Sequence, residues 1–186
     1  MKTKMIVITI VLFIAFAIFL PLFFVTKNAI FETITITVGI ALYHFVMRLA
    51  VGITVNLIMQ NKANYKSVWF KQKVFENKLY KFLNVRKWKK FLPTFDPKTF
   101  DANNKTIKEI VEATCQAEIV HEIIIAFSFL PIFLIPFLGG KVAIIITSIL
   151  SATFDGLFVI LQRYNRPKLV KVMERFKTLK NSECKN

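Results

Sequence analysis

Cysteine, histidine and glycine are all scarce in this chain, and each scarcity removes a class of explanation. The two cysteines, Cys115 and Cys184, have no CxxC spacing. Both fall on segments assigned below to the cytoplasm, where they are expected as free reduced thiols. Of the two histidines, His44 and His121, only His121 sits in a Glu-x-x-His pattern, with Glu118. Di-iron bundles need a second copy of that pattern and further glutamates, so no metal is expected. Five glycines stand against twenty phenylalanines, a balance that suits lipid-facing helices. No internal repeat or low-complexity stretch occurs. The N-terminal apolar stretch lacks a small-x-small cleavage site, and it reads as a retained anchor instead of a signal peptide.

Acidic residues are also few, 11 against 26 Lys and Arg, for a formal charge of +15 and a pI near 10.0. Basicity of this size raises the possibility of nucleic acid, but the basic residues lie between and after long apolar runs. The phenylalanines are concentrated inside those runs, away from any base-stacking surface. With 55% hydrophobic residues and a mean hydropathy of +0.53, the chain carries more apolar surface than a soluble domain of its size buries. An integral membrane protein facing anionic lipid follows, with no nucleic-acid partner.

A span needs about 20 apolar residues. Four segments reach that length, near residues 5–25, 30–59, 119–138 and 142–161. The expected fold is therefore all-α, a single membrane domain of four transmembrane helices. Pro131 and Pro136 should kink the third span, and Gly139-Gly140 should form the tight turn that follows it. The fourth span is expected to stop at Gln162-Arg163. The connection from Gln60 to Glu118 holds thirteen Lys and Arg and the tail from Arg163 holds eight, whereas the two short connections hold one each, Lys27 and Lys141. That asymmetry places both termini in the cytoplasm of a multi-pass cell-membrane protein.

Within the long connection (residues 62–118), aromatic and aliphatic residues from Trp69 to Phe91 recur at helical spacing among lysines. This describes an amphipathic helix in the headgroup plane, with a self-packed soluble cap as the other reading. Pro93-Thr94-Phe95-Asp96-Pro97 reads as a turn or loop. A helix restarts near Thr106, with Glu109 in its first turn, and can continue into the third span.

Ionisable groups inside a span are costly and usually mark a site or a buried partner. His44, Arg48, Gly52 and Asn56 recur every four residues on the second span and form one polar stripe. The simpler account is a helix-helix interface in which Gly52 allows close approach and Arg48 snorkels. Arg48 lies about 18 Å of helix rise from the cytoplasmic end, far for snorkelling. Asp155 on the fourth span is deep enough to partner Arg48 or His44. Glu118 and His121, at i and i+3 where the third span opens, suit a carboxylate-assisted general base; a polar cluster at the interface fits equally well. Gln162-Arg163-Tyr164-Asn165-Arg166-Pro167 is either a lipid-headgroup anchor or a guanidinium clamp for phosphate or carboxylate.

Val85-Arg86-Lys87-Trp88-Lys89, Ala117-Glu118-Ile119-Val120-His121 and Gln162-Arg163-Tyr164-Asn165-Arg166-Pro167 together resemble the glycosyl-4,4'-diaponeurosporenoate acyltransferase family of carotenoid biosynthesis, over roughly Trp69 to Leu169. The resemblance implies transfer of a fatty acyl group to a sugar hydroxyl of a glycosylated lipid at the cytoplasmic leaflet. It makes Glu118 and His121 the catalytic pair and gives Gln162, Arg163, Asn165 and Arg166 to substrate binding. The first half, with the stripe from His44, lies outside it, so the acceptor is a carotenoid glycoside or another glycolipid.

The reading is a membrane acyltransferase that takes its acyl group from an acyl-CoA or acyl carrier thioester and needs no cofactor. Arg48, His44 and Asp155 are added to the substrate-binding residues, with Arg48 as an oxyanion stabiliser. No Ser or Cys is placed like a triad nucleophile, which favours direct transfer. A small lipid methyltransferase and a non-catalytic membrane scaffold are the alternatives. Oligomeric state is open.

Overall fold

The structure, a computed structural model, describes residues 2–92, 97–101, 104–138 and 140–183. Pro93 to Asp96 of the expected loop, Gly139 of the expected turn and Cys184 lie outside the described residues. The described chain is all-helical, with helices α1 (Lys2–Thr26), α2 (Ala29–Met59), α3 (Glu76–Phe82), α4 (Val85–Trp88), α5 (Ile107–Ser128), α6 (Ile135–Leu138) and α7 (Lys141–Glu183). Four helical stretches, Lys2–Thr26, Ala29–Met59, Ile107–Leu138 and Lys141–Leu179, are long and apolar enough to cross a membrane.

Several boundaries differ from the apolar pattern for physical reasons. The helix of the third span starts earlier, because Thr106 and Glu109 form a reciprocal capping box. The Thr106 amide donates to Glu109 Oε2 at 2.8 Å, and the Glu109 amide donates to Thr106 Oγ1 at 3.2 Å. At its far end α5 stops at Ser128 and the chain tightens into a 3-10 segment, Leu130–Leu134, that contains Pro131. On α7 the apolar run ends at Leu161 but the helix does not, and Pro167 lies within it. The expectation that it stops at Gln162-Arg163 is corrected: the arginines there are buried or half-buried and bonded within the protein, so polarity did not mark an exit to solvent.

The single amphipathic helix expected from Trp69 to Phe91 is also corrected. The segment is broken into a 3-10 turn (Val68–Phe70), α3, α4 and a second 3-10 turn (Lys89–Phe91). Asn84 interrupts it in the left-handed region at φ 52°, where the polar side chain of Asn is tolerated. Glu76, Tyr80 and Val85 are buried while Trp69, Val74, Phe75, Phe82 and Phe91 are exposed.

By contact density the chain divides into two compact units, Met1–Thr54 with Glu122–Gly156, and Val55–His121 with Leu157–Asn186. In the first unit α1 buries no side chain and is tied to α2 where Thr35 Oγ1 donates to the Phe19 carbonyl at 3.2 Å. A Cβ at Gly39 would lie 2.9 Å from the Phe16 ring, so a side chain there would push that ring aside. Gly52, expected to allow close approach, would meet nothing within 4 Å. Polar bonds add to the buried apolar side chains of Ile40, Met47, Val51, Ile124 and Ile144 in this unit. Arg48 Nη2 donates to Asp155 Oδ2 at 2.6 Å and to Ser151 Oγ at 2.8 Å. The Ser128 and Ser151 hydroxyls are 2.7 Å apart, and Tyr43 donates to the Phe127 carbonyl at 2.9 Å.

Removing one member of a buried ion pair is destabilising. Arg48→Ala is expected to cost about 3–5 kcal/mol, with Arg48→Ala/Asp155→Ala recovering part of it. Denaturant unfolding of the purified protein in micelles measures both; equal stability of Arg48→Ala and wild type would contradict the pairing.

Candidate functional site

The second unit gathers most of the sequence-nominated site residues around one carboxylate. Glu118, on the face of α5 one turn after Thr114, is fully buried. Arg163 and Arg166, three apart on α7, share a face and converge on it. Arg163 Nη1 donates to Glu118 Oε1 at 2.5 Å, and Arg166 Nη2 makes a very short bond to Glu118 Oε2. Both carboxylate oxygens are thereby engaged.

A second carboxylate, Glu76 at the start of α3, completes the charge balance. Its Oε1 accepts from Arg163 Nη2 at 2.6 Å and Nε at 2.9 Å, and its Oε2 accepts from the Tyr80 hydroxyl at 2.7 Å. Two guanidiniums and two carboxylates leave the cluster formally neutral, which is what burial of ionised groups demands. Arg163 also donates to the carbonyls of Trp69 and Lys71, each at 3.2 Å. A guanidinium has five N–H donors, and these five bonds use all of them. Arg166 continues the same clamp through Nε to Thr114 Oγ1 at 3.1 Å and Nη2 to the Thr114 carbonyl at 3.0 Å. Its guanidinium lies 4.9 Å from the Phe70 ring centroid.

Glu76, Thr114 and Tyr80 escaped sequence reasoning. Glu76 did leave a signal, as the one acidic residue between Gln60 and Leu92 among many lysines. Tyr80 stacks edge-on against Tyr164, with centroids 5.3 Å apart. Burial first, then its bond to Glu76, hold its phenol well above the ordinary tyrosine value.

Near this cluster, the half-buried His121 follows Glu118 by one turn and stacks on Phe158 of α7, at 4.7 Å between centroids and 10° between planes. Asn165 Oδ1 accepts from Lys89 Nζ at 3.3 Å, and Gln162 is half-buried. An open hollow of about 490 Å³ in the same unit is lined by Lys62, Lys66, Lys108 and Lys177 together with Asn64, Tyr65 and Glu112. Cys115 is buried on α5. No group of three or more metal-ligating side chains occurs among the described residues. His44, Arg48 and Asp155 belong to the first unit, in the polar seam described above.

Two measurements follow. Glu118→Gln removes the carboxylate from Arg166 and leaves Arg163 with Glu76, and it is expected to cost about 3–5 kcal/mol on denaturant unfolding; a cost below about 1 kcal/mol would contradict the shared-carboxylate geometry. In alkaline spectrophotometric titration Tyr80 should be the last tyrosine to ionise. Since its pKa is raised on folding, its contribution to stability is complete below its ordinary value of 10.0 and is lost as pH rises through the higher folded value. Tyr80→Phe should delete that last phase.

No curated protein matches the chain. No solved structure matches it either. Residues 66–175, however, match the family described as glycosyl-4,4'-diaponeurosporenoate acyltransferase. That stretch is more than half of the 186 residues and contains Glu76, Thr114, Glu118, His121, Arg163 and Arg166. On this match the chain belongs to the glycosyl-4,4'-diaponeurosporenoate acyltransferase family.

Proposed function

We propose that the protein transfers a fatty acyl group from a thioester donor to a hydroxyl of a glycosylated lipid at the cytoplasmic face of the cell membrane. The family match carries this reading, because it covers the cluster around Glu118 together with His121. The excess of Lys and Arg in residues 60–118 and in the tail supports an inward-facing site with both termini in the cytoplasm.

His121 acts as the general base. It removes the proton of the acceptor hydroxyl as that oxygen attacks the thioester carbonyl, forming the C–O bond. When the C–S bond breaks, the imidazolium returns the proton to the leaving thiolate, so charge and atoms balance. Stacking on Phe158 fixes the plane of the ring, and that lowers the cost of reaching a reactive geometry. Glu118 assists from one turn away by holding Arg163 and Arg166, which pin the 68–82 segment through the carbonyls of Trp69, Phe70 and Lys71.

With every Arg163 donor engaged inside the protein, an incoming anion would have to displace a carboxylate to reach it. Arg163 and Arg166 therefore act as positioning residues, and Gln162 and Asn165 bind the acceptor. The lysines of the open hollow are better placed for phosphates of an acyl-CoA or acyl carrier donor, since only Glu112 there opposes them. In this reading Arg48 and Asp155 hold α2 against α7 within the first unit, and His44 lies buried one turn before Arg48.

Purified protein in vesicles, given radiolabelled acyl-CoA and a glucosylated lipid, should form an acylated product, and His121→Ala should lower the rate by about 100-fold or more. Normal insertion and full transfer by His121→Ala would overturn the base assignment. Methyl transfer from labelled S-adenosylmethionine, with none from acyl-CoA, would overturn the reaction class.

A further inference from the structure

In the first unit, two polar side chains outside the proposed reaction are buried without any hydrogen-bond partner among the described residues. They are His44, at both ring nitrogens, and Ser148, at Oγ. His44 is 4% exposed and Ser148 0%. Buried polar groups are nearly always satisfied, so three orphaned atoms in one seam call for an explanation.

The packing registers place the two residues at the same level. At one end of the seam, a Cβ at Gly140 would lie 2.7 Å from Ile36 Cγ2. Further along, Arg48 bonds Ser151 and Asp155. Residue numbers thus rise together on both helices, so α2 and α7 run parallel here. A position eight residues past Ile36 faces one about eight past Gly140, which pairs His44 with Ser148. Their faces agree as well. His44 is one turn before Arg48, and Ser148 is one turn before Ser151.

Ser148 also departs from the habit of its neighbours. The hydroxyls of Thr9, Thr33, Thr37, Ser128 and Thr147 each bond the carbonyl four residues earlier. That bond is the usual refuge for a hydroxyl in an apolar helix. Ser148 Oγ is directed elsewhere.

We propose that His44 and Ser148 form a binding site for a single uncharged hydroxyl group. A neutral imidazole offers one donor and one acceptor, and a serine hydroxyl offers both. One O–H can donate to the imidazole acceptor and accept from Ser148, which satisfies two of the three orphaned atoms, Ser148 Oγ and one ring nitrogen, that an apolar occupant would leave unmet. An anion is disfavoured because Asp155 already neutralises Arg48. The hydroxyl belongs either to a water molecule or to an alcohol carried by a lipid, and the site stands independently of acyl transfer.

The sign of one substitution decides. Ser148→Ala changes little volume. If the hydroxyl is an occupied ligand, the variant loses a bond and its thermal midpoint falls by roughly 2–4 °C. A hydroxyl that were simply orphaned would give an unchanged or raised midpoint, which overturns the proposal. Nitrogen-15 NMR of histidine-labelled protein supplies a second readout. The chain has two histidines, so a His121→Ala sample assigns His44 directly. Hydrogen-bonded ring nitrogens that shift in Ser148→Ala support the site, and shifts of an unbonded imidazole, unaltered by that variant, overturn it. Adding monoglucosyldiacylglycerol to lipid-free protein separates the two sources. A midpoint that rises in wild type and not in Ser148→Ala identifies a lipid alcohol, and an unchanged wild type with both earlier signatures present identifies water.

Discussion

One fully buried carboxylate, Glu118, is gripped on both oxygens by two guanidiniums, and much of the second unit is organised around it. Neither arginine could be buried alone, since an isolated charge in an apolar setting is far more costly than any single contact could offset. Glu76 supplies the second negative charge, and through it α3 joins the arrangement. Two of the five donors of Arg163 then reach the backbone of a segment with little regular structure, at the carbonyls of Trp69 and Lys71, so a loop between helices gains a defined path from side-chain bonds.

This arrangement bears directly on chemistry. A neutral cluster in which every Arg163 donor is engaged is poorly suited to capture an incoming anion and well suited to hold its surroundings still. Reactive groups work best when their supports are already rigid. In the proposed reaction His121, one turn along α5 and stacked on Phe158, stands on that rigid support.

The long apolar helices were legible because length and hydropathy alone determine them. The course of α7 beyond Leu161 was not. Gln162, Arg163 and Arg166 read as an exit to water, and only knowledge of the partners of the two arginines shows why these stay inside. Similarly, the periodic aromatics from Trp69 to Phe91 suggested one amphipathic helix, but periodicity cannot register the left-handed Asn84 that divides it. Of the site, the basic and histidine members could be nominated because charge in or near a span is conspicuous. Glu76 was hidden by its lysine neighbours, and Ser148 by the ordinariness of serine in a helix.

Order along the chain adds a consequence for biosynthesis. Arg48 emerges from the ribosome long before Asp155, and Glu76 and Glu118 emerge before Arg163 and Arg166. In each case the counter-charge arrives with the last long helix. Until α7 has been translated, the nascent protein holds an unmatched cation among its early helices and two unmatched carboxylates in the segment that follows, so its final helix is also the step that neutralises both.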